Sequence, residues 1–130
     1  MSRSLESHRK TEAEVLESLG LRWAVLSAWH EDLRSRGVAF DANVARMLET
    51  SRIEIASGCM SSCQVGCDLA RLEAALVARA ASVAPDSVDE WIGTLSEAMT
   101  APEDLKRRPW FRSVNVSHLD CGYRPCVFPV

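Results

Sequence analysis

The chain of 130 residues is 47% apolar and 25% charged, which fits one folded domain and excludes a disordered or fibrous chain. A chain of this size buries roughly two thirds of its unfolded surface, so it needs neither disulfides nor metals to fold, and its five cysteines require another explanation. The net charge of −3 divides into about +4 on the last 25 residues (Lys106, Arg107, Arg108, Arg112 and Arg124 against Asp120) and about −7 elsewhere, which argues against wrapping a nucleic-acid backbone.

Residues 1–10 are polar and charged without an apolar run, so no signal peptide is expected. Residues 55–67 form the longest uncharged stretch and are too short and too rich in Ser and Gly to cross a bilayer. An odd cysteine count without a leader points to reduced thiols and a cytoplasmic location.

Leu16, Leu19, Trp23, Leu26, His30 and Leu33 recur every three or four residues, the period of a helix with one buried stripe. A helix is expected over about 7–36, with Gly37 in the left-handed closing position and Gly20 a weak point in the middle. Phe40 before Asp41 signals a second start, for a helix over about 42–56 with Val44, Met47, Leu48 and Ile55 inward.

Ser61 and Gln64 have capping-box spacing, and Leu69, Leu72, Leu76 and Ala80 line one face of a third helix reaching about 82. Ser87 and Glu90 repeat that spacing after Pro85, and Val88, Trp91, Ile92, Leu95 and Met99 predict a fourth helix over about 88–99. Pro102 suits the start of one more short turn, ended by Pro109. Beyond it Val114 and Val116 alternate with polar residues, and Gly122, Pro125 and Pro129 punctuate the rest, so residues 109–130 read as an extended segment.

The expected fold is therefore all-α: an up-and-down bundle of about four helices in one domain over residues 1–130, with the extended cysteine-bearing C-terminal segment packed on it. Leu19, Trp23, Leu26, Leu48, Leu72, Leu76, Trp91 and Leu95 are expected in the core.

Cys59, Cys63 and Cys67 form C-x3-C-x3-C, and Cys121 and Cys126 form C-x4-C, neither a zinc-finger spacing. On an unbroken helix Cys59 and Cys67 would stand about 12 Å apart along the axis, beyond the reach of one metal atom. With Zn–S bonds near 2.3 Å, two sulfurs on one zinc lie within about 4.6 Å, so only neighbours in the triplet can share it. A four-thiolate set then combines triplet members with Cys121 and Cys126, and His118, three residues before Cys121, can replace one thiolate.

Gly58, Gly66 and Gly122 adjoin cysteines and let amide N–H groups approach sulfur, and Arg124 favours thiolates over thiols. Three readings stay open. The triplet supplies small fillers continuing a stripe through Ala70, Ala74 and Val77; the cysteines hold an iron–sulfur cluster or zinc; or they form a redox dithiol, with Cys121 and Cys126 joined across a turn.

His30 reads as a hydrogen-bonded core histidine, because no second ligand shares its helix at metal-binding spacing. Trp23, Trp29 and Trp91 read as core. Trp110 and Phe111 beside Lys106, Arg107 and Arg108 have the pattern of a small nucleic-acid contact, but a packed turn with solvated charges accounts for them more simply. No glycine-rich phosphate loop, nucleophile elbow or paired-carboxylate motif supports an enzyme assignment. The expectation is a thiolate-ligated metal or iron–sulfur protein serving electron transfer, metal handling or a redox complex, with a protein partner or a second copy as its associate. A thiol–disulfide protein and a helical interaction module are the alternatives.

Overall fold

The computed structural model describes residues 12–57 and 61–113. They form an all-α bundle of four substantial helices, α1 (Glu12–Ser35), α2 (Ala42–Ser57), α3 (Ser62–Val83) and α4 (Pro85–Thr100), followed by the short α5 (Pro102–Lys106) and, where an extended segment was expected to begin, a 3-10 turn (Pro109–Ser113); residues 7–11 of the expected first helix and 114–130 of the expected extended segment lie outside the described residues. No strand occurs among the described residues.

The stripe Leu16, Leu19, Trp23, Leu26, His30 and Leu33 is buried along α1, and the helix runs through Gly20 without interruption. Its end closes at Gly37, whose φ of 90° is left-handed. There Gly37 N–H donates to Arg34 O at 3.0 Å and Val38 N–H to Leu33 O at 3.0 Å, satisfying carbonyls the helix would otherwise leave bare, while Leu33 and Val38 are both buried.

Asp41 caps α2 by accepting from Asn43 N–H at 2.8 Å, and Phe40 packs against the core. At α3 only half of the expected capping box forms: Ser61 Oγ accepts from Gln64 N–H at 3.1 Å, but the Gln64 side chain donates to Asp68 Oδ1 at 3.2 Å.

α4 begins three residues earlier than its pattern suggested. Pro85 opens the helix because its missing N–H costs nothing in the first turn. Ser87 is therefore inside the helix and buried, its hydroxyl donating to Ala84 O at 2.7 Å. The inward stripe is Ser87, Trp91, Thr94, Leu95 and Ala98, so Met99, 66% exposed, and Ile92 face outward, contrary to expectation. Thr94 turns its hydroxyl onto Glu90 O at 3.0 Å, and such local bonding lets two short polar side chains sit in the stripe.

α1 packs against all three long neighbours and makes its closest association with α3; α2 and α4 flank that pair. Trp23 Nε1 donates to Leu48 O at 2.8 Å between α1 and α2, and Trp91 Nε1 to Asp32 Oδ2 at 3.2 Å between α4 and α1. All eight residues expected in the core are buried. Among the described residues two tracts face outward: the side of α1 between α2 and α4, and the side of α3 that faces away from α1.

Candidate functional site

The second tract carries two of the predicted ligands. The inward stripe of α3 is Val65, Leu69, Leu72, Leu76 and Ala80, and at 100° per residue Cys63 and Cys67 fall roughly opposite it. Both thiols are free and exposed. Ala70 and Ala74 are exposed on the same side and Val77 is half-buried, so Cys63 and Cys67 do not continue a buried stripe as small fillers.

One turn apart, Cys63 and Cys67 have Cβ atoms about 5–6 Å from each other by helix geometry. A disulfide needs about 3.5–4.5 Å, so the two cannot join without unwinding the helix. Convergent rotamers can bring their sulfurs within the roughly 4.6 Å that one zinc allows. Cys59, Cys121, Cys126 and His118 lie outside the described residues. Among the described residues no group of three or more His, Cys, Asp or Glu side chains is placed to hold a metal.

Beside this tract, Glu54 of α2 meets Asp68 of α3. Burial, then a hydrogen bond with Asp68 and repulsion from it, push the Glu54 carboxyl above the usual range. Its Oε1 is closed off from solvent and has no partner among the described residues. The pair has no sequence signature, because its members stand on different helices.

The first tract is a cleft of about 720 Å³ along α1, walled by Trp23, Trp91 and Trp110 and by residues of α2. His30 lines it and is 8% exposed. Its ring lies against Phe40, with centroids 4.8 Å apart, but neither nitrogen has a hydrogen-bond partner among the described residues, contrary to expectation. Burial first, then Arg34, lowers the His30 pKa, and Glu31 opposes them, so the site favours the neutral imidazole.

Trp110 packs on Trp91 at 5.7 Å and on Phe111 at 6.0 Å, as a packed turn requires. The basic run beside it is paired. Lys106 approaches Glu103 and Glu17 at 3.4 and 3.7 Å, Arg107 approaches Asp104 at 3.8 Å, and Arg108 grips Glu97 through two 3.0 Å bonds. Trp23 and Trp91 are buried while also lining the cleft, a role that periodicity alone did not suggest.

These features define an all-α bundle with one thiol-bearing helix face and one tryptophan-lined cleft. No family model, curated protein or solved structure matches the chain. No helix among the described residues is long and apolar enough to cross a membrane.

Proposed function

We propose that the protein binds zinc or an iron–sulfur cluster through cysteine thiolates, with Cys63 and Cys67 as a two-thiolate half-site on α3. The observation that supports this reading is the placement of both thiols, free and exposed, one turn apart on a face that the other described residues leave uncovered. That spacing suits two ligands to one metal and is too wide for an internal disulfide, so it favours metal over dithiol chemistry at this pair.

The remaining ligands come from Cys59, Cys121, Cys126 or His118. Cys121 lies eight residues beyond Ser113, and a stretch of that length reaches at most about 29 Å. Crossing two helices takes about 20–24 Å, so the chain is long enough to bring Cys121 from the 3-10 turn to α3. A bound centre would serve electron transfer or metal handling in the cytoplasm, either alone or as part of a redox complex with a protein partner or a second copy.

Anaerobic purification followed by metal analysis and visible spectroscopy tests the proposal. A sulfur-to-iron charge-transfer band identifies a cluster, and stoichiometric zinc without colour identifies a zinc site. Full-length protein that holds neither after reconstitution with iron and sulfide or with zinc refutes it.

A further inference from the structure

The α1 cleft presents a polar wall that the bundle does not use. Ser27, His30 and Glu31 follow one another at positions i, i+3 and i+4, so they share one side of the helix, and all three line the cleft. The Ser27 hydroxyl, like the His30 ring, has no hydrogen-bond partner among the described residues. His30 is 92% shielded as a residue, yet its ring nitrogens are not sealed from solvent, so an acceptor on the ring is open to a donor that enters the cleft it lines.

The surrounding charges select the sign of that ligand. Arg52 is committed to Glu49, with bonds of 2.6 and 3.0 Å, and so is not free to receive an anion. Asp32 is held by Arg36 at 3.2 Å and by the Trp91 indole, leaving Glu31, whose contact with Arg34 is 3.5 Å long and largely exposed, as the least committed carboxylate. A neutral imidazole offers one ring nitrogen as an acceptor.

We propose that the cleft binds a primary organic ammonium with an aromatic body, its three N–H donors directed to Ser27, His30 and Glu31 and its ring placed among Trp23, Trp91 and Trp110. An ammonium has three donors and no acceptor, matching the three acceptors of the wall, and indole surfaces attract cations as well as apolar rings. The site is separate from the thiols on α3 and does not depend on the metal reading.

Three probes with the same ring and different heads test the charge argument on the full-length chain: phenethylammonium, phenethyl alcohol and phenylacetate. Tryptophan fluorescence and ¹⁵N NMR titrations should show saturable binding of the ammonium, with the alcohol weaker by about tenfold or more and the carboxylate weaker still. Glu31 is an exposed helix residue, so E31Q should keep the native circular dichroism spectrum while weakening phenethylammonium by about fivefold to tenfold and leaving the alcohol unchanged. S27A tests the hydroxyl in the same way, with a smaller loss.

Equal affinity for all three heads, no indole perturbation at millimolar probe, or tighter binding of phenylacetate overturns the proposal. So do nuclear Overhauser contacts from Phe128 to the Trp23 or Trp110 indole in the free protein, because the chain's own C-terminal segment would then be the occupant.

Discussion

Replacing Cys63 and Cys67 together by Ala separates thiols that ligate from thiols that pack. Both side chains are exposed, so in chelator-treated, reduced protein their loss removes little buried area. Alanine is the better helix former by up to about 0.7 kcal/mol per site, so the double variant should match the parent or exceed it by up to about 1.4 kcal/mol. Leu69→Ala, in the same helix but fully buried, should instead cost about 2–5 kcal/mol. Urea unfolding resolves the two, because with a slope of about 1–3 kcal/mol per molar, 1 kcal/mol moves the midpoint by about 0.3–1 M. With metal present the order should reverse: a ligand at 100 times its Kd stabilises the native state by about 2.7 kcal/mol, and the double variant should forgo most of that. A loss above about 1 kcal/mol in the chelated protein would refute the reasoning, since it would mean that the thiols are packed after all.

Glu54→Gln should raise the melting temperature at pH 7. The native state binds the Glu54 proton more tightly than the unfolded chain does, so Glu54 erodes stability as pH rises from the ordinary carboxyl range through its raised native pKa; the gain from Gln should fade below about pH 4 in a pH series of thermal melts. Gly37→Ala should destabilise by about 1 kcal/mol, even though nothing lies within 4 Å of the added methyl, because the φ of 90° disfavours any L side chain; an effect near zero in chemical denaturation would mean that the turn relaxes freely.

The helices were legible where a long apolar stripe met an unambiguous stop. Leu16 to Leu33 and Gly37 specified α1 because burial and backbone freedom agree there. α4 was less legible. Two positions suggested a cap at Ser87, but a proline can occupy the first turn without losing a hydrogen bond, and that shifted the start to Pro85. The inward face was also misjudged, because Ile92 and Met99 are apolar by type, while Ser87 and Thr94 hide their polarity in bonds to their own helix and become acceptable inside.

Neither candidate site could be read to the same depth. The i, i+4 relation of Cys63 and Cys67 follows from spacing alone, whereas the direction they face depends on which side of α3 meets α1. That direction is set by Val65, Leu69, Leu72, Leu76 and Ala80, whose combined apolar area outweighs two thiols in choosing the inward side. The same competition explains the cleft. α1 must bury its flanks against α3, α2 and α4 at once, and α2 and α4, packed on either side of the α1–α3 pair, cannot also close over Ser27 and Glu31. A four-helix arrangement with a short diagonal thus leaves the outer sides of its two central helices available for chemistry. In this sequence one of those sides carries paired thiols, and the other carries a buried histidine among indoles.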